Sequence, residues 1–253
     1  MAKENASSRP SPGSRLAGKV AVVTGGSRGI GFAIASALGS EGCSMVISGR
    51  DQQALDQAAA GLRNDISGDA RVVPVLCDVR DPQQVQQMFD RVTRDFGRLD
   101  VLVNNAGISQ SAAPVEKTSL ELWRDVIDTN LTGTFLCVRS AVPLMKHGAT
   151  IVNILSVAAR DSFPGYTAYN ASKAGALSLT RTVREELKGT GIRVTAISPG
   201  ATSTDIWQTV APDASRDKMI DAESIATLVL ETVVLSPKAN LTDLVLDPVA
   251  GAV

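Results

Sequence analysis

The stretch KVAVVTGGSRGIG, residues 19–31, decides how the chain is read. Its first half, 19–24, is a short β-branched run bounded by glycine, the pattern of a buried strand. Its second half sets Gly25, Gly29 and Gly31 in Gly-x-x-x-Gly-x-Gly spacing, and the apolar run FAIASALGSEG follows at once with a helical pattern. Strand, glycine-rich turn and helix in that order aim backbone N–H groups and a helix N-terminus at one point, which suits a phosphate. Taken alone, such a turn is equally an ordinary tight turn, so its meaning comes from its surroundings.

Working outward, a second strand is expected at 44–48, then Gly49-Arg50-Asp51 and a helix running to Arg63. In a dinucleotide-binding unit this is where the adenosine ribose is read. An acid there accepts from the 2′-hydroxyl of NAD; an arginine pairs with the 2′-phosphate of NADP in the fork geometry that phosphate invites. Both types are present. Asp51, just before Gln52-Gln53-Ala54-Leu55, is well explained as a helix N-cap. Arg50, with Arg28 inside the glycine-rich turn, tilts the reading to NADP(H), with NAD(H) as the alternative.

The alternation continues. Strands are expected at 71–77, 99–103, 150–155, 191–198 and 241–246. Helices are expected at 82–96, capped by Asp81 with Pro82 in its first turn, at 118–146 with a break near Gly133, at 166–188, around 204–210 and at 221–235. Seven strands with intervening helices read as an α/β chain: one doubly wound parallel sheet with helices on both faces. No repeat or linker divides residues 17–253, and 1–16, rich in Ser, Pro and charge, read as a flexible arm. The expected strand ends carry Gly25, Gly49-Arg50, Asp78, Asn104-Asn105, Ser156 and Pro199-Gly200. In open α/β sheets the ligand lies beyond those ends.

The helix at 166–188 carries Tyr169 and Lys173, four residues apart and so on one face. A phenol titrates near pH ~10 in water, and an ammonium beside it favours the ionised form. Such a pair can exchange a proton near neutral pH. By itself it is also a tyrosine packed in a core helix beside a lysine that reaches solvent.

Composition narrows the field. A net charge of −1 gives no electrostatic reason to expect nucleic acid or an anionic membrane as partner, and no apolar run is long enough to span a bilayer. Cys43, Cys77 and Cys137 are widely spaced in apolar segments, which reads as buried thiols in a reducing, cytoplasmic setting. A single histidine, His147, in a helix-end pattern, argues against zinc and Ser-His-Asp schemes; no metal site is expected.

Thr24-Gly25-x-x-x-Gly29-Ile30-Gly31, Asp78, Asn104-Asn105-Ala106-Gly107, Asn130, Ser156, Tyr169-x-x-x-Lys173 and Pro199-Gly200 followed by Thr204 together resemble the short-chain dehydrogenase/reductase family, and its 3-oxoacyl-[acyl-carrier-protein] reductase and carbonyl reductase members among them. The match runs from Lys19 to Leu246. The resemblance implies a Rossmann-type domain and a hydride transfer between NADP(H) and a ketone or secondary alcohol, with a 3-oxoacyl thioester among the candidate substrates. It implies Tyr169 as general acid or base, Lys173 as the group that lowers its pKa and binds the nicotinamide ribose, Ser156 as the hydrogen-bond partner of the substrate oxygen, and Asn130 as holder of a relay water. Cofactor contacts carry over onto Gly25, Ser27, Arg28, Gly29, Ile30 and Gly31, onto Arg50, Asp78 and Val79, onto Asn105, Ala106 and Gly107, onto Tyr169 and Lys173, and onto Pro199, Gly200, Thr202 and Thr204. Asn104 would brace the central strand.

Where many relatives end Asp-Gly-Gly, this chain has Asp247-Pro248-Val249-Ala250-Gly251, which puts the C-terminal packing in question. Ile206 and Trp207 are the large apolar candidates for a short lid, with Phe163 and Tyr166 as further pocket walls. Ala171, Ala174, Gly175 and Ala176 would let helices approach closely, and the resemblance implies a homodimer or homotetramer. A non-catalytic NADP-binding sensor or scaffold on the same fold is the competing reading; retention of both Tyr169 and Lys173 speaks against it.

Overall fold

The strand that precedes the glycine-rich turn lies inside a seven-stranded sheet of order β3-β2-β1-β4-β5-β6-β7, every pair parallel. The computed structural model describes residues 15–204 and 215–251. The strands are β1 Val20–Thr24, β2 Ser44–Gly49, β3 Val72–Leu76, β4 Leu99–Asn104, β5 Met145–Ile154, β6 Arg193–Pro199 and β7 Asp243–Leu246. Among the described residues the α-helices are α1 Gly29–Ser40, α2 Gln52–Asp65, α3 Pro82–Phe96, α4 Leu120–Ile127, α5 Gly133–Ala141, α6 Thr167–Glu186 and α7 Ala222–Val234. The connection reverses direction between β1 and β4, which opens a crevice at their carboxyl ends.

Strand side chains alternate between two apolar layers. Ala21, Val23, Met45, Ile47, Val101 and Val103 face α1, α2 and α7, represented by Ile34, Leu38, Leu55, Leu62 and Val229. Val20, Val22, Val46 and Leu102 face the other way, onto Met88 and Phe89 of α3 and Leu136 and Cys137 of α5. Every residue of β1 and β4 is buried, as a parallel sheet covered on both faces requires. Caps fall where the residues ask for them. The Asp81 carboxylate accepts from the amides of Gln83 and Gln84, Pro82 follows it, and Gly97 ends α3 with φ +69°.

Three expectations need correction. Arg15 and Leu16 belong to the folded domain rather than to an arm: Leu16 is buried, and Arg15 pairs with Glu41 at 2.6 Å and Glu231 at 2.9 Å. The helix expected to reach Lys146 stops earlier, in a 3-10 turn at Val142–Leu144, because Pro143 cannot extend it; Met145 already pairs with Leu99 as the start of β5. His147 is therefore a strand residue whose ring lies over Gly191, with Cδ2 2.2 Å from where a Cβ would sit. The break expected near Gly133 is present as a widened turn just before it, a π-helical stretch at Asp128–Thr132. Gly133 itself is small because Val79 lies 2.7 Å from its would-be Cβ.

Among the described residues no helix is long and apolar enough to cross a membrane. The helix expected around 204–210 lies outside the described residues, as do Ile206 and Trp207.

Candidate active site

The crevice between β1 and β4 is built from backbone. Gly25 leaves β1 with φ +64°, and a Cβ there would meet Ala106 and Asn105 at 3.0 Å. Gly31 admits no side chain: its Cβ would lie 2.2 Å from the carbonyl oxygen of Gly25. Across the crevice the Thr24 hydroxyl accepts from the amides of Asn105 and Ala106, each at 3.0 Å. The Asn105 side chain donates back to the carbonyls of Thr24 and Gly25. These bonds fix the glycine-rich turn against the loop after β4.

Residues present at this turn fit a dinucleotide phosphate. No side chain caps α1, Arg28 stands at its N-cap position, and no acid lies in its first turn, so its terminal amides and positive dipole end are free for an anion. Ser27 lies beside Gly49 at the end of β2, and Thr204 approaches Gly29 from the far side, 3.4 Å from where its Cβ would lie. Arg28 and Arg50 are exposed. Asp51 accepts from the Ala54 amide at 3.0 Å as the N-cap of α2, and the exposed Arg50 precedes it at the end of β2.

Asp78 and Val79 follow β3, which ends at Leu76. Arg80 grips the Asp78 carboxylate through both Nε and its terminal nitrogen and reaches Asp125 at 2.9 Å. That guanidinium holds Asp78 below the usual carboxylate range. The Val79 side chain is buried against Gly133, so any cofactor contact there falls to its backbone. Beyond β6, Pro199 ends the strand and Gly200 packs against Pro248, 2.9 Å from its would-be Cβ; the atypical C-terminal segment thus supports the loop that carries Thr202 and Thr204. Thr202 is buried and its hydroxyl donates to the Gly200 carbonyl.

The residues expected to handle the proton converge on the same crevice. Ser156 follows β5 and accepts from the Ala158 amide at 3.2 Å, and its hydroxyl is close enough to the Tyr169 phenol to lower its pKa. Lys173 is buried, donates to the Ile154 carbonyl at 3.2 Å, and lies 5.7 Å from the Tyr169 ring centre. Asn130 lies in the π turn; its Oδ1 accepts from the Ile108 amide and its Nδ2 donates to the Ile108 carbonyl and to Ser172. Gly107 completes the group, its would-be Cβ 3.2 Å from Asn130 and 3.6 Å from the Lys173 nitrogen. A widened turn displaces one residue from ordinary helical register, and here it turns Asn130 towards the loop.

The charge balance differs from the simple pair reading. Burial pushes the Tyr169 phenol above its ordinary value, and the Ser156 hydrogen bond pulls it the other way. Desolvation also pushes Lys173 down to about 8, so the lysine has already lost its charge at the pH where the phenol titrates in this state. An unfolded lysine titrates near ~10.4. Between those values the unfolded chain binds the extra proton, so stability rises with pH through that window, and below it the full cost of burying the ammonium applies. We expect Lys173→Met to stabilise the chain without cofactor at pH 7 by about 2 kcal/mol, roughly 3 from desolvation less about 1 for the lost Ile154 bond. Urea unfolding at pH 7 and pH 10 checks this; an equal gain at both would reject it.

Two participants escaped the sequence reading. Ser172 is fully buried, donates to the Tyr169 carbonyl at 2.8 Å and receives Asn130. Gln110 is buried and accepts from the amides of Ala168 and Tyr169. A serine in a helix and a glutamine in a loop carry no periodic or spacing signal; their roles exist only once distant segments meet. Of the small residues in α6, Ala176 packs on the chain's own sheet and Gly175 on Leu131, while Ala174 is exposed. Phe163 is exposed and Tyr166 half-buried at the loop before α6.

Comparison with known proteins agrees with this architecture. A family model described as short chain dehydrogenase matches residues 19–215. A 3-oxoacyl-[acyl-carrier-protein] reductase of Synechocystis sp. is 39% identical over 196 residues, covering 76% of this chain and 78% of that protein. Among solved structures, a short chain dehydrogenase from Burkholderia cenocepacia in complex with NADP is 32% identical with a TM-score of 0.84, covering 92% of this chain and 98% of that one. A blue fluorescent protein from a metagenomic library in complex with NADPH is 29% identical with a TM-score of 0.84, covering 92% and 98%.

Proposed function

This chain belongs to the short-chain dehydrogenase family of oxidoreductases, and from that membership we propose that it moves hydride between NADP(H) and a ketone or secondary alcohol, with Tyr169 as the acid and base. The observation that carries the proposal is the convergence of Ser156, Tyr169, Lys173 and Asn130 on the loop that also abuts the glycine-rich turn. When bound, NADPH supplies the hydride that adds to the carbonyl carbon.

The chain's own residues handle position and proton. Raised above its ordinary value, the Tyr169 phenol is protonated at neutral pH, ready to give the proton to the carbonyl oxygen as negative charge develops there. The Ser156 hydroxyl, beside the phenol, holds the same oxygen in place. The phenolate left behind is stabilised by the Lys173 ammonium, which lies 5.7 Å from the Tyr169 ring centre. Asn130 fixes the backbone at Ile108, beside the lysine, where a relay water would connect it to solvent. In the oxidative direction each proton step reverses.

Arg50 and Arg28 favour the 2′-phosphate over a bare ribose. We expect Arg50→Ala to weaken NADPH binding by about 10- to 100-fold, the worth of a charge-assisted bond, and to leave NADH binding unchanged. Fluorescence titration with both cofactors measures it; equal loss for both would remove Arg50 from the discrimination.

The functional test is NADPH oxidation against a panel of ketones and 3-oxoacyl thioesters, the latter included because of the reductase named among the relatives. Turnover supports the reading and the best substrate names the class. Tight NADPH binding with no turnover favours a non-catalytic sensor on the same fold.

A homodimer or homotetramer is part of the proposal, supported by exposed Phe135 on α5 and exposed Ala174 and Ser178 on α6. Light scattering at micromolar concentration is expected to give two or four chain masses; one chain mass rejects it.

A further inference from the structure

We propose that Gln110 is a positioning residue for the catalytic tyrosine: from the loop after β4 it caps the N-terminus of α6 and so fixes where Tyr169 sits. The inference rests on the reading of Tyr169 given above. Helix α6 begins at Thr167, and its own N-cap position is Tyr166, which supplies no side-chain bond. The first amides of a helix have no partner within it, and left buried and unmet they are costly. Here the carboxamide oxygen of Gln110 accepts from the amide of Ala168 at 3.0 Å and from that of Tyr169 itself at 3.1 Å. Its nitrogen donates to the Gly165 carbonyl at 3.0 Å. Both ends of the side chain are used, and it is only 3% exposed.

The rest of the loop is laced to the same place. The Ala113 amide also donates to the Gly165 carbonyl, and Gly165 turns with φ +86° against Ala112, 3.1 Å from its would-be Cβ. Two residues before Gln110, Ile108 is held at both its amide and its carbonyl by Asn130. The loop is thus tied at one end to Asn130 and at the other to the backbone of Tyr169, and Gln110 is the side chain that makes the second tie. A glutamine suits this because one group must accept twice and donate once. Leucine does neither, whereas glutamate keeps both acceptances and, in the neutral form that such burial favours, can turn its O–H to the Gly165 carbonyl.

The test compares Gln110→Leu and Gln110→Glu with the natural full-length chain. Amide hydrogen exchange, read by NMR, is expected to quicken at Ala168 and Tyr169 by about tenfold in the leucine variant, the effect of losing a helix cap. It is expected to stay slow at Ala176 in mid-helix, and slow throughout in the glutamate variant. On the best panel substrate the leucine variant is expected to lose about tenfold in kcat with KM for NADPH unchanged, and the glutamate variant to recover most of it. Unchanged exchange at both amides in the leucine variant would overturn the proposal. So would a loss of kcat accompanied by loss of protection along all of α6 and of NADPH affinity, the mark of a merely structural residue. A natural chain that turns over no substrate fails the functional reading instead, and exchange at Ala168 and Tyr169 still decides the cap.

Discussion

Replacing Tyr169 by phenylalanine is expected to lower kcat by about 10²- to 10⁴-fold, the usual contribution of a positioned acid or base. Phenylalanine keeps the ring and removes only the hydroxyl that bonds Ser156. The helix, its Gln110 cap and the Ser172 bond to the Tyr169 carbonyl all use backbone atoms, so none of them is lost. Cofactor binding should therefore survive, weakened by no more than one hydrogen bond, about tenfold at most. Tyr166 is the one other tyrosine in the chain and provides the control: Tyr166→Phe is expected to leave kcat within a small factor of the natural value. Steady-state NADPH oxidation with both variants decides the matter. A Tyr169→Phe chain that keeps the natural kcat would remove Tyr169 from the chemistry.

The second large effect is expected at Gly31. A Cβ there would lie 2.2 Å from the Gly25 carbonyl oxygen and 2.5 Å from the Asn105 side chain. Neither neighbour can yield cheaply. The carbonyl belongs to the turn, and the Asn105 nitrogen is already bonded to the carbonyls of Thr24 and Gly25. Gly31→Ala must push the start of α1 away from β1 and break the tie across the crevice. Overpacking of this kind destabilises by about 1–3 kcal/mol. The moved helix also takes its terminal amides away from the phosphate position, and two charge-assisted bonds weakened together cost NADPH affinity about 100-fold or more. Isothermal titration of NADPH and thermal unfolding check the two parts. Unchanged affinity would mean that the phosphate does not sit on this helix end.

These two predictions differ in how far the sequence foresaw them. The alternation of β-branched runs with amphipathic helices was legible because burial on both faces of a parallel sheet leaves a local pattern, and six of the seven strands were placed within two residues. The exception, β5, begins five residues early, at Met145, where a non-local partner, Leu99, overrides the local helical pattern. The Tyr169 and Lys173 pair was legible because four-residue spacing is a property of a single helix. Asp51 as the cap of α2 followed from the same local chemistry.

What the sequence by itself determined is therefore everything set by neighbours along the chain: strands, helices, caps, the glycine-rich turn and the face that carries Tyr169 and Lys173. What only the tertiary structure decided is everything set by neighbours in space. Gln110 becomes the cap of a helix that starts 57 positions after it only when the loop after β4 lies across the start of α6. Asp78 becomes the partner of a guanidinium rather than an open acceptor because Arg80 folds back on it and spans to Asp125. The phenol of Tyr169 lies above its ordinary value because desolvation, which depends on which distant segments pack over a group, outweighs the pull of Ser156. Hydrogen bonding and burial between distant segments have no period in the sequence, and that is the physical reason they had to be read from the fold.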